Sequence, residues 1–151
     1  LASELRLVRP APAGWGGLTG SPDAILDLET TGAALEAAAR GVGDSAGLRQ
    51  AAVAVLREAH ARGRATIAGA IAADPHGAHR AVHDYAALTD RVVTLTLDFA
   101  ARWLHPLANP TATERVSALA VGGYGRAEMA PFSDVDLLFL TPYKQTAWGE
   151  S

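Results

Sequence analysis

The stretch Val121 to Leu140, VGGYGRAEMAPFSDVDLLFL, constrains the fold of this chain more than any other. The apolar run Ala118 to Val121 feeds a glycine pair. After a polar connection, two aspartates alternate with apolar residues going into Leu137 to Leu140. That order predicts a strand, a glycine turn, a short connector and a second strand. Successive strand side chains point to opposite faces, so the pattern predicts Asp134 and Asp136 on one face with Val135 on the other. Two unpaired carboxylates side by side repel each other, and a cation between them relieves this, magnesium being the natural candidate. The glycines leave backbone N–H groups open to an anion, since no side chain blocks the approach. Together these parts describe a cradle for a metal and a triphosphate.

Other readings of the glycine turn and the acids fit less well. Gly123-x-Gly125 begins a dinucleotide-binding G-x-G-x-x-G, but Glu128 takes the third glycine's place and Pro131 breaks the helix that must follow. No Gly-Lys-Ser/Thr follows, which excludes a P-loop. The blander alternative makes Asp134 a turn residue and Asp136 an exposed strand residue.

Gly122-Gly123 followed by Asp134-x-Asp136 resembles the signature of the DNA polymerase β nucleotidyltransferase superfamily. The fuller text Gly-Gly-Tyr-Gly-Arg-x-Glu, then Pro-x-Ser-Asp-x-Asp-Leu-Leu-Phe-Leu, is similar to the bifunctional PII-protein uridylyltransferase/uridylyl-removing enzymes. So are Ala87-Leu-Thr-Asp-Arg91, Leu104-His-Pro-Leu-Ala-Asn-Pro110 and Thr141-Pro-Tyr-Lys-Gln-Thr-Ala-Trp-Gly-Glu150. The resemblance runs over residues 45 to 151, with one departure at Ala127, where that family commonly has glycine.

The resemblance implies an enzyme, a [protein-PII] uridylyltransferase, that transfers UMP from UTP to a tyrosine hydroxyl of the PII nitrogen-regulatory protein and releases pyrophosphate. It assigns Asp134 and Asp136 to magnesium and catalysis, and Gly122 and Gly123 to the phosphates. Arg126 either contacts phosphate or pairs with Glu128 or another carboxylate; Tyr124 has a place near the nucleotide as one option and no firm role. The superfamily's third carboxylate comes from a later strand, and after Asp136 the only acid is Glu150. The uridylyl-removing HD domain and the glutamine-sensing ACT domains are expected beyond Ser151. The chain then reads as an N-terminal fragment, expected to be inactive alone and to be aggregation-prone, self-associating or ordered mainly in its helices. Two alternatives stand beside this: a nucleotidyltransferase of the same superfamily with another acceptor, and a non-catalytic interaction or regulatory fragment.

The rest of the chain predicts a flexible tail over residues 1 to 20 and a helical region over 21 to 112; the resemblance implies an incomplete nucleotidyltransferase domain over 113 to 151 contributing its first two strands, and the whole is expected to be α+β. Pro10, Pro12, Gly14, Gly16, Gly17 and Gly20 punctuate the tail. Ser21-Pro22-Asp23 has the order of a helix start, and Thr30 or Thr31 is placed to cap an alanine-rich helix ending near Gly41. Leu48, Ala52, Val55, Ala59, Ile67 and Ile71 recur on one helical face before Asp74-Pro75. Val82, Tyr85, Thr89, Val92, Thr96, Phe99 and Trp103 form a second stripe ending before Pro106. Helices over 45–73 and 76–104 are therefore expected to pack as an antiparallel hairpin.

His76, His79 and His83 lie off that stripe, and a solvated face explains them better than a metal site. His83-Asp84 is expected on the exposed side of the helix. Arg62 and Arg64 have a phosphate role as one option and a solvated helix end as another. A net charge of −3 gives no field for a polyanion, so nucleic acid is not the expected partner. With 49% hydrophobic residues, no cysteine and no long apolar run, a folded cytoplasmic protein without membrane attachment is expected.

Overall fold

A computed structural model of the chain describes residues 6–8, 16–108, 114–142 and 146–151. Asn109 and Pro110 of the stretch beginning at Leu104, and Tyr143, Lys144 and Gln145 of the stretch beginning at Thr141, lie outside the described residues, as do Pro10, Pro12 and Gly14.

Helices dominate. A short helix α1 (Pro22–Ile25) starts at Ser21, whose hydroxyl accepts from the Ala24 amide, with Pro22 in the first turn where its missing N–H costs nothing. Helix α2 (Leu28–Ala39) is capped by Asp27, not by Thr30 or Thr31. The Thr30 amide donates to Asp27 Oδ1 at 2.7 Å, and an aspartate competes well for this role because its charge also opposes the helix dipole. Hydrogen bonds from Thr30 hold the Asp27 carboxyl below its ordinary pKa. Gly41, at φ +84°, turns the chain out of α2 where the sequence placed its end.

Helix α3 (Ser45–Ala73) has the expected bounds and is capped by Asp44 and closed at Asp74. Its partner differs from expectation at both ends. Residues Pro75–Arg80 form a 3₁₀ turn, helix α4 covers Ala81–Phe99, and a widened π turn, Ala100–Leu104, carries the chain to His105. Proline at the start and Asp74 accepting from the Gly77 amide favour the tighter first turn.

The buried stripe of α4 is also rotated relative to the predicted one. Tyr85 and Phe99 are buried as expected, but Leu88 and Leu95 complete the face, while Thr96 is exposed and Thr89 only half-buried. Two β-branched threonines at helical spacing imitated an apolar stripe, yet each satisfies its hydroxyl on the carbonyl four residues back. Between α3 and α4 the core is built from Ala52, Ala59, Ile67, Ala81, Tyr85, Leu88 and Leu95. Three of these seven are alanine, and the two helices approach closely at Gly63, where a β-carbon would lie 2.6 Å from Leu88 Cδ1.

His83-Asp84 is not on an exposed side. Asp84 is fully buried and accepts from the Leu18 amide at 2.9 Å and the Thr19 hydroxyl at 3.0 Å. These bonds fasten residues 18 and 19 to α4, so this end of the predicted tail is part of the packed structure. A buried carboxylate cannot sit there unpaired, which is why the segment before α1 closes over it.

Among the described residues the sheet has three strands in the order β1 (Arg6–Val8), β2 (Ser117–Ala120), β3 (Leu137–Leu140). β2 and β3 are antiparallel, with Ala118 opposite Phe139, as the sequence suggested. β1 pairs parallel to β2 and corrects two expectations at once, the tail over residues 1 to 20 and a sheet of only two strands. Three residues are too short to show strand periodicity, so nothing in the sequence announced it.

Candidate functional site: a glycine turn under a carboxylate

β2 ends at Ala120, Val121 stays extended, and a single helical turn α5 (Gly122–Gly125) follows. Two glycines here are required by geometry. Gly122 has φ +61°, and a β-carbon on it would lie 2.6 Å from Asp136 Oδ2. At Gly125 a β-carbon would lie 2.6 Å from the Ala120 carbonyl oxygen. The first turn leaves N–H groups without intrahelical partners, so the Gly122-Gly123 end presents backbone donors beside a carboxylate.

Asp134 and Asp136 precede β3 instead of lying within it. The ladder nevertheless reaches Asp136, whose carbonyl accepts from the Val121 amide at 3.1 Å. This bond places the Asp136 side chain over Gly122, so the turn and the acid predicted to act together are in contact. Asp134 and Asp136 are both exposed. Among the described residues no group of three or more potential metal ligands occurs, so no third carboxylate joins them.

Arg126 makes the pairing with Glu128 that was one of its expected roles. Its Nε pairs with Glu128 Oε2 at 3.0 Å and its Nη1 donates to the Gly122 carbonyl at 3.0 Å. The guanidinium thereby closes the turn on itself while staying largely exposed, with 66% of the side chain accessible. Tyr124 does not pack near the glycine turn's open face. It is buried, and its hydroxyl donates to Asp90 Oδ1 on α4 at 2.8 Å. Ala127, the departure noted above, also has φ +61°, which accounts for glycine being the easier residue there.

The connector is held to the helices at further points. The Met129 amide donates to the Val82 carbonyl at 3.3 Å, and Met129 is buried. Arg64 on α3 donates to the Pro131 carbonyl, with its guanidinium 5.6 Å from the Tyr85 ring centroid and 5.1 Å from that of Phe132. Arg62 instead pairs with Glu58 on the outside of α3. His76 and His79 are exposed on the 3₁₀ turn.

Sequence reasoning singled out neither Asp90 nor the part Arg64 plays. Asp90 and Arg91 were visible only as Ala-Leu-Thr-Asp-Arg. In the fold Asp90 holds Tyr124, and Arg91 donates to the Leu26 carbonyl and pairs with Asp23 at 2.8 Å.

The described residues thus form an α+β unit in which a helical hairpin carries a small mixed sheet, with a glycine turn set against an acidic approach to a strand. By sequence this stretch belongs with the bifunctional uridylyltransferase/uridylyl-removing enzymes. It is 52% identical over 127 residues to the enzyme of that name from Ruegeria pomeroyi, covering 84% of this chain. To the Cereibacter sphaeroides and Erythrobacter litoralis enzymes it is 51% and 43% identical, over 83% of this chain in each case. The chain spans 14% of the length of each of these relatives. No family model and no solved structure matches it. No helix among the described residues is long and apolar enough to cross a membrane.

Proposed function

We propose that the chain contributes the metal- and triphosphate-binding half of a uridylyltransferase site that moves UMP from UTP to a tyrosine of the PII protein. The observation that carries the reading is the Asp136 carboxylate lying over Gly122, in a chain 52% identical to an enzyme named for uridylyl transfer. The donor set suits magnesium: two exposed carboxylates supply hard oxygen ligands and leave room for water and phosphate oxygens.

Bound there, magnesium would offset the triphosphate's charge and polarise the α-phosphate for attack, with pyrophosphate leaving. Asp134 and Asp136 would hold the cation. Backbone amides at Gly122 and Gly123 meet the β- and γ-phosphates, which approach closely because neither residue has a side chain. Arg126, already beside the Gly122 carbonyl, adds positive charge at the rim. A third acid, the uridylyl-removing activity and sensing of glutamine belong to residues outside this chain, and the 151 residues alone are expected to turn over poorly.

Calorimetric titration of magnesium-UTP into the full-length protein tests this. The Asp134→Asn/Asp136→Asn pair should bind at least about tenfold more weakly than the parent, as loss of metal ligands requires. Equal affinities, with a lower melting temperature as the sole effect, would mean that the aspartates serve structure alone.

A further inference from the structure

We propose that Arg64 is a positioning residue for Asp134, so that metal and nucleotide affinity at the glycine turn is set in part from helix α3. The inference rests on the function proposed above. Arg64 lies 67 residues before Pro131, and neither its spacing nor its neighbours on α3 link it to the acids.

The connector from Met129 to Asp136 is fixed in shape and fixed in place by different groups. Its shape comes from a local turn, in which the Ala130 amide donates to Ser133 Oγ at 2.8 Å and the Ser133 amide to the Ala130 carbonyl at 3.1 Å. Those bonds would survive if the whole turn swung away from the helices. Its place is set by three others: Met129 to Val82 at one end, Val121 to Asp136 at the other, and Arg64 to Pro131 between them. Among the described residues no backbone hydrogen bond is made by Asp134 or Val135. Asp134 therefore hangs between the pin at Pro131 and the pin at Asp136. Without Arg64 the free span begins at Met129.

Phe132 shows how much of the arrangement depends on this one side chain. It is 91% exposed, so burial does not hold it, yet its ring faces the Arg64 guanidinium, which faces Tyr85 as well. A planar cation near two rings, with an N–H left for the Pro131 carbonyl, uses features that arginine has and lysine lacks. With those contacts made, Arg64 acts through the connector and is not a phosphate ligand.

The test compares Arg64→Met, Arg64→Lys and Phe132→Ala with the parent and with Asp136→Asn in the full-length protein. Magnesium-UTP affinity is measured by calorimetry at several magnesium concentrations, well below each variant's melting temperature. Arg64→Met should weaken binding roughly tenfold, as loss of a group that holds a metal ligand in place does. It should raise the magnesium concentration needed for half-maximal UTP binding in the same proportion, and Arg64→Lys should not rescue it. Phe132→Ala, whose exposed ring cannot matter to the core, should shift the magnesium dependence in the same direction and guards against a misfolded Arg64 variant. Hydrogen exchange should speed up over residues 130–136 in all three. A stability loss with the magnesium dependence unmoved would overturn the inference, since that is what a purely structural arginine gives. If Asp136→Asn weakens binding and neither Arg64→Met nor Phe132→Ala does, this inference alone falls. If Asp136→Asn binds like the parent, the functional reading falls and takes this one with it.

Discussion

Gly122→Ala probes the centre of the site, because two separate costs converge on one methyl group. The backbone at φ +61° disfavours any β-carbon by about 1 to 2 kcal/mol. The new carbon would also lie 2.6 Å from Asp136 Oδ2 and 3.5 Å from Cγ, so the carboxylate must move. Asp136 is exposed and can rotate away, which limits that second cost to about 0.5 to 1.5 kcal/mol of rotamer strain. The sum, about 1.5 to 3.5 kcal/mol, corresponds to a melting temperature roughly 3 to 14 °C lower at about 2 to 4 °C per kcal/mol for a chain of this size.

Ala127 provides an internal comparison for the same turn. It has the same φ, but its β-carbon lies in the core, so Ala127→Gly relieves about 1 to 2 kcal/mol of backbone strain while losing about 0.8 kcal/mol of methyl burial and about 0.5 to 1 kcal/mol through glycine's extra freedom when unfolded. That variant should be close to neutral. What separates the two positions is the carboxylate, and a double-mutant cycle isolates it. Asp136→Ala introduced into Gly122→Ala should recover at least about 0.5 kcal/mol relative to additivity in urea unfolding. A Gly122→Ala protein as stable as the parent would refute both the left-handed backbone and the placement of the acid over it, and strict additivity with Asp136→Ala would refute the placement alone.

Asp84→Ala should lower stability by about 2 to 4 kcal/mol in urea unfolding, because it strands the Leu18 amide and removes two hydrogen bonds to a buried carboxylate, whereas Asp84→Asn keeps an acceptor and recovers part of the loss. His60 has its pKa lowered from 6.5 by burial first and by the nearby Arg64 charge second, so the unfolded chain binds the proton more readily than the fold. Its contribution is complete above about pH 6.5 and is lost as the pH falls below that value; His60→Gln should flatten the stability slope there, and an unchanged slope would rule the linkage out.

Most of the main chain was legible because its punctuation is local. Ser21-Pro22, Asp44 and Asp74-Pro75 bound helices by satisfying or removing end groups, and Gly122-Gly123 with the alternating acids marked the turn and the strand that follows. What escaped depends on contacts between distant parts. The α4 stripe was misread because Thr89 and Thr96 occupy helical spacing as readily as Leu88 and Leu95 do, and only the neighbouring α3 decides which set is buried. Asp84 looked exposed because a carboxylate usually is; its partners at residues 18 and 19 lie about 65 positions away and carry no motif. The contact between Gly122 and Asp136 was foreseeable in kind, since both were assigned to one cradle. Its steric reason, a carboxylate where a β-carbon would go, exists only in the folded chain.

The helices therefore matter to the site beyond covering its sheet. Strands of three to four residues form a sheet that is marginal alone, and β3 is an edge with Leu138, Phe139 and Leu140 about half exposed. The turn and the connector take much of their position from outside that sheet. Tyr124 is fixed by Asp90, Met129 by Val82 and Pro131 by Arg64, all on α3 or α4, and only Asp136 is fixed from β2 by way of Val121. One side of the cradle is thus referred to the helical hairpin and the other to the strand leading into the glycines. Their relative placement depends on the packing of the buried Tyr124 and Met129, so a rigid core there is a condition for Asp136 to stay over Gly122.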